Sequence, residues 1–262
     1  MSGYHRNDSY ASGDMLRLGG MMTPAVKWLI IANSIVFIFE LILGDSVQGF
    51  IRFFGAVPQL FWESLYFWQL FTYMFVHSPL DPFHILLNML ILWMFGITFE
   101  RLWGTRRFLI FYFVGGLAGG LAVVLLSGVS GTMSNIPTIG ASGAIYALIM
   151  AFGVWFPERN VYIYFFIPVK AKWLVRFIIL ITVLMAITGS NPGVSYAAHG
   201  GGLLAGYIMT SGIYKPRVLG GKLKWFYWKL QELYYRARLR LERRRRRHIR
   251  RVDDDDKPEM YH

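Results

Sequence analysis

The chain has 262 residues, 55% of them hydrophobic, 17% aromatic and only 16% charged, with a mean hydropathy of +0.41. Soluble domains run about 45–50% apolar and about 25% charged, so an ordinary soluble domain is excluded, as is disorder over most of the length. Cysteine is absent, which removes disulfides, thiolate metal sites and cysteine nucleophiles, and the net charge of +12 sits on what reads as a membrane protein.

Residues 1–22 are polar and lack a short apolar core followed by a small-residue cleavage site, so no cleaved signal peptide is expected. A spanning helix needs roughly 20 mostly apolar residues, because the hydrocarbon layer is about 30 Å thick. Stretches 24–43, 83–103, 108–127, 136–155, 173–189 and 195–214 meet that need approximately. The 44–82 connection is too long for a bare turn. It carries Phe50, Phe53, Phe54, Phe61, Trp62, Tyr66, Phe67 and Trp68 but is broken by Pro58 and Glu63. That composition predicts short helices forming an interfacial lid, with amphipathic rings at headgroup depth.

Positive charge alternates between connections. Arg101, Arg106 and Arg107 lie around the second-to-third connection, and Arg159, Lys170 and Lys172 lie in the fourth-to-fifth. The third-to-fourth and fifth-to-sixth carry none, the first-to-second has Arg52, and 16 of the 27 Lys and Arg fall from position 215 onward. The excess of cations on one side places both termini in the cytoplasm. The expected organisation is a cytoplasmic segment (1–23), a six-helix membrane core (24–214) and a basic cytoplasmic tail (215–262). The tail mixes Trp225, Phe226, Tyr227, Trp228, Tyr234 and Tyr235 with Lys, Arg and Leu, and continues into Arg243–Arg247. It reads as a juxtamembrane helix on anionic inner-leaflet lipid; nucleic acid is not the expected partner.

Polar and ionisable residues inside spans are expensive, so each is a functional candidate. Helices two, four and six all start at the outer face in this topology. His84 is near the start of helix two and Asn88 one turn later on the same face. Ser142 is expected about two turns into helix four, and His199 about one turn into helix six. By helix rise all four lie within roughly 10 Å of the outer boundary. Ser142 stands in Gly140-Ala141-Ser142-Gly143, and His199 precedes Gly200-Gly201-Gly202 and Gly206. Gly202 and Gly206, four apart, have the spacing that packs two membrane helices backbone to backbone, which would bring the imidazole to the hydroxyl.

This set predicts nucleophilic acyl transfer. His199 would take the Ser142 proton and return it to the leaving amine. His84, the Asn88 amide and the Ser142 backbone N–H would supply oxyanion donors. No Asp or Glu lies at this layer in the three helices, so a dyad is expected, with the Tyr146 ring packed on the imidazole. Taken singly, the Gly-flanked serine reads as a packing notch, and either histidine equally as a proton relay or interhelical hydrogen-bond residue. The soluble-hydrolase G-x-S-x-G elbow is excluded, because position 144 is Ala.

In these motifs the chain resembles the rhomboid family of intramembrane serine proteases. The motifs are Gly140-Ala141-Ser142-Gly143 with Tyr146-Ala147, His84-Ile85-Leu86-Leu87-Asn88, Ala198-His199 with Gly202 and Gly206, and the stretch from Glu100 to Phe108. The resemblance, over roughly residues 24–214, implies an all-α polytopic six-helix bundle with a water-filled cavity open to the outside. It implies Ser142 and His199 as the dyad, His84 and Asn88 as oxyanion donors, and Tyr146 as the ring stacked on His199. It further implies single-span membrane proteins as substrates, admitted beside helix five, no cofactor or metal, and residence in a bacterial inner membrane. Trp68-Gln69 stands where many members have Trp-Arg, which leaves the anchoring of the first loop open. His77 and His84 are seven apart with Pro79 and Pro82 between them, which predicts a longer approach to helix two. Two other readings compete: a non-catalytic rhomboid-like scaffold that binds membrane helices, whose relatives typically lack the Ser or His, and a small transporter using the two histidines, which would need midplane charges and an inverted repeat.

Overall fold

In the computed structural model, residues 22–129, 135–163, 167–188 and 196–211 are described. The N-terminal segment, the fifth-to-sixth connection and the basic tail lie outside them. The first long helix, α1 (Pro24–Leu43), is followed by a 3-10 turn and α2 (Val47–Phe54), α3 (Pro58–Ser64) and α4 (Gln69–Thr72). Then come α5 (Pro82–Trp103), α6 (Thr105–Val129), α7 (Ser142–Trp155), the strands β1 (Asn160–Ile163) and β2 (Ile167–Lys170), α8 (Ala171–Thr188) and α9 (Tyr196–Ser211).

Among the described residues four helical segments are long and apolar enough to cross a bilayer: Pro24–Phe54, Pro82–Trp103, Thr105–Gly128 and Ala171–Thr188. Much of α1 and α8 is apolar and exposed (Ile35, Ile38, Leu41, Phe177, Leu180, Ile187), as a lipid-facing surface is. The fourth and sixth expected spans form shorter helices. Residues 136–141 are not helical, so α7 has 14 residues and a rise of about 21 Å, and Ser142 is its first residue rather than two turns in. The reason is local: Ala56 and Thr138 exchange both backbone hydrogen bonds at 2.9 Å, and Gly140 turns the chain at φ +107. A chain paired in extended form and then turned through a left-handed glycine cannot already be helical. The described part of the sixth span runs from Tyr196 to Ser211.

Prolines stand in the first turn of α1 and α5, where the missing N–H costs nothing. The start of α1 is completed from another helix. The Glu100 carboxylate accepts the N–H groups of Ala25 and Val26 at 2.9 and 3.0 Å and the Thr105 hydroxyl at 2.7 Å. One buried side chain thereby ties the ends of α1, α5 and α6 together. Gly104 (φ +78) makes the single-residue break between α5 and α6.

The 44–82 connection does form short helices, but its second half is not a surface lid. Tyr73 and Met74 are fully buried. The Tyr73 hydroxyl donates to the Gly116 carbonyl at 2.7 Å, and Met74 fills the space a side chain at Gly116 would need. Small residues on α6 admit these large ones, so the loop is wedged into the bundle. Gln69, at the departure from Trp-Arg, is also buried. Its Oε1 accepts the Val57 N–H at 3.0 Å, and its Nε2 lies 2.9 and 3.2 Å from the carbonyls of Arg52 and Phe53. Trp68 Nε1 donates to the same Phe53 carbonyl at 3.0 Å. A neutral amide thus pins the loop.

The fourth-to-fifth connection holds a small antiparallel hairpin that the sequence pattern did not suggest, Asn160 pairing with Lys170 and Ile163 with Ile167. Glu158 beside it takes Lys170 at 2.8 Å and Lys172 at 2.5 Å. Hydrogen bonds from those two ammonium groups hold its carboxyl well down, at about 2.

Candidate active site

The turn into α7 sets the first group. Gly140 N–H donates to the Tyr73 carbonyl at 2.9 Å, and the chain then enters the helix at Ser142, half-buried, with Gly143 and Ala144 buried behind it. The backbone N–H groups of this first turn have no partner within the helix, and the helix dipole leaves them partially positive.

His199, the fourth residue of α9, comes from the opposite side. A Cβ at Gly202 would run into the Gly143 carbonyl, one at Gly206 would lie 2.5 Å from the Ala147 carbonyl, and one at Gly201 would lie 2.6 Å from the Ala118 carbonyl. Bare backbone therefore lets α9 press against α7 and α6 together. At that crossing His199 Nε2 is 2.9 Å from Ser142 Oγ. The rings of Tyr146 and His199 are stacked with centroids 4.0 Å apart and planes 11° from parallel, and Tyr196 meets the imidazole edge-on at 6.3 Å. Among the described residues His199 Nδ1 has no hydrogen-bond partner.

The third wall is α5. A Cβ at Gly140 would lie 2.7 Å from His84 Cε1, 2.8 Å from its Nε2 and 3.5 Å from Asn88 Nδ2. Both side chains thus rest on the turn that presents Ser142, and the His84 ring occupies the place a side chain at Gly140 would need. The structure brings together Ser142, His199, His84, Asn88, Gly140 and Tyr146, with Gly202 and Gly206 at the crossing that makes this possible. An apolar pocket lined by Phe177, Ile178, Ile181, Thr182 and Tyr196 adjoins Tyr146 and His199. Among the described residues no group of three or more His, Asp or Glu is placed to hold a metal ion.

A family model described as Rhomboid domain matches residues 64–216. The chain belongs to the rhomboid family. It is an all-α polytopic membrane protein, and its α5–α9 region lies inside the matched rhomboid segment. "Rhomboid protease GluP" of Bacillus subtilis is 26% identical over 200 residues, covering 74% of this chain and 36% of the relative. "RHOMBOID-like protein 12, mitochondrial" of Arabidopsis thaliana is 32% identical over 152 residues, covering 53% and 45%. "Rhomboid-like protease 3" of Toxoplasma gondii is 24% identical over 206 residues, covering 77% and 73%. The chain spans only 36% and 45% of the length of the first two relatives.

Two polar residues beside this rhomboid site were not assigned to it from sequence. His77 is fully buried, with its ring centroid 5.2 Å from that of His84 and its Nε2 3.3 Å from Asn88 Nδ2. Glu40 on α1, also buried, accepts the His77 N–H at 3.0 Å. The signal was present, since an intramembrane carboxylate is a functional candidate by default, but nothing in the spacing joins positions 40, 77 and 88.

Proposed function

We propose that this rhomboid is an intramembrane serine endopeptidase that hydrolyses peptide bonds in or near the spans of membrane proteins. The observation that carries the reading is the 2.9 Å approach of His199 Nε2 to Ser142 Oγ. A neutral imidazole there accepts the hydroxyl proton as Oγ attacks the scissile carbonyl carbon. The carbonyl π electrons move to oxygen. The Ser142 N–H at the start of α7, the Asn88 amide and His84 are at hand to receive that charge. On collapse the C–N bond breaks, and His199 passes its proton to the departing amine. Water, deprotonated by the same imidazole, then cleaves the acyl-serine ester and releases Ser142.

Among the described residues no hydrogen-bond partner meets His199 Nδ1, so orientation falls to the Tyr146 ring, and the pair works as a dyad. Substrates are single-span membrane proteins in the surrounding lipid. The alternation of cationic connections supports a site facing away from the cytoplasm and both termini inside it, in a bacterial inner membrane. The segment 1–23 and the basic tail 215–262 flank the membrane core, the tail on anionic lipid.

The test is cleavage of a single-span substrate reconstituted in liposomes. Wild type cuts, and Ser142→Ala and His199→Ala do not; equal cutting by wild type and Ser142→Ala sinks the assignment. A serine-directed fluorophosphonate separates this from a helix-binding scaffold, since labelling that requires both residues reports an activated hydroxyl.

A further inference from the structure

Asn88 has two faces, and only one of them serves an oxyanion. Its Nδ2 can donate two hydrogens, while its Oδ1 would repel developing negative charge. Something must decide which face meets the Gly140–Ser142 turn. The candidate is His77, fully buried on the segment that leads into α5.

The roles of its two nitrogens follow from their partners. His77 Nδ1 lies 3.2 Å from the Phe75 carbonyl, which can only accept, so Nδ1 carries the hydrogen. Nε2 is then a lone-pair acceptor, and it lies 3.3 Å from Asn88 Nδ2. One amide hydrogen is spoken for by His77. The same nitrogen is the Asn88 atom that a Cβ on Gly140 would approach to 3.5 Å, so the other hydrogen is free for that side. Rotating the amide by half a turn would set Oδ1 against Nε2, two acceptors in a buried place, which costs free energy. The backbone that carries this imidazole is held from outside the site: the carboxylate of Glu40, buried on α1, accepts the His77 backbone N–H at 3.0 Å. Three buried polar residues on three segments form one chain ending at Asn88.

We propose that His77, anchored to α1 by Glu40, is a positioning residue that fixes the Asn88 amide with its N–H groups turned toward the oxyanion. The inference rests on the peptidase reading and adds a device to it: helix one, though it carries none of the reacting groups, sets the aim of a donor on α5. Losing one oxyanion donor lowers kcat by about 10²–10³, and a misaimed donor loses part of that.

The experiment is a double-mutant cycle on liposome cleavage of a single-span substrate. His77→Phe keeps a planar apolar ring and removes the acceptor. It is expected to lower kcat about tenfold or more and leave KM within about twofold, and to cause no additional loss when combined with Asn88→Ala. His77→Gln, which restores an acceptor, recovers part of kcat. If His77→Phe does not fold, His77→Leu is compared with His77→Gln, and faster turnover by the Gln variant at unchanged KM is the expected result. Losses at 77 and 88 that multiply, unaltered kcat in His77→Phe, or equal turnover by the Leu and Gln variants overturns the proposal. Those outcomes leave the peptidase reading intact as long as cutting requires Ser142; a wild type that cuts nothing removes both.

Discussion

The imidazole of His199 lies flat on the phenol ring of Tyr146, 4.0 Å between centroids and 11° from parallel, while its Nδ1 has no hydrogen-bond partner among the described residues. Among the described residues the far nitrogen has no carboxylate, and the stacked phenol is the contact that lies along the plane of the ring.

Tyr146→Phe keeps the stacked face and is expected to retain kcat within about threefold, because offset ring contacts do not need the hydroxyl. Tyr146→Ala frees the imidazole to rotate and is expected to lower kcat by about tenfold or more, since misplacement of a reacting group by about 1 Å can cost 10²-fold. Substrate turnover in liposomes, with thermal unfolding as the control for folding, checks both.

Gly202 and Gly200 are two residues apart on α9 and should respond oppositely. A side chain at Gly202 would strike the Gly143 carbonyl, a backbone atom that cannot swing aside, whereas one at Gly200 meets nothing within 4 Å. Gly202→Val should separate α9 from α7, abolish cleavage and lower stability by more than about 2 kcal/mol. Gly200→Ala should raise stability by about 0.5–1 kcal/mol, as expected for replacing a helical glycine. Denaturant titration in detergent distinguishes them.

Gln69→Leu keeps the volume of the side chain but strands the Val57 N–H, which the Gln69 carbonyl oxygen now accepts at 3.0 Å. A buried backbone donor without a partner costs about 1–3 kcal/mol. The variant should unfold earlier, with hydrogen exchange at Val57 accelerated well before exchange in α6. Protection at Val57 equal to wild type would show that the amide does not hold this loop.

Glu158 predicts a pH response confined to the hairpin. Its carboxyl is held at about 2 by Lys170 and Lys172, below the ordinary 4.5. A depressed folded-state value means that the pairing stabilises fully above about pH 4.5 and is lost as pH falls through about 2. Being exposed, the group should contribute little and be screened by salt. Hydrogen exchange across Asn160–Lys170 should quicken between those pH values in wild type, and Glu158→Gln should remove that dependence.

The chain order of the long helices was legible because bilayer thickness translates directly into a length of apolar sequence. The grouping of His84, Asn88, Ser142 and His199 was legible for a related reason: in a bundle of spanning helices, distance from a helix end approximates depth, so residues far apart in sequence can be ranked on one axis. Gly202 and Gly206 were legible as a close crossing because small residues four apart let two helix backbones approach.

Depth is one coordinate, and the other two belong to the folded molecule. Sequence could not say that the 136–141 stretch is pulled straight by Ala56 so that Ser142 opens α7, since that pairing joins positions more than 80 residues apart. Nor could it say that Tyr73 and Met74 plunge into α6, because an aromatic-rich loop looks the same whether its rings meet lipid or glycines. The line from Glu40 through His77 to Asn88 is of the same kind. Local pattern records what each residue would seek (lipid, water, a partner), and which partner it obtains is settled only when helices that are distant along the chain are pressed together.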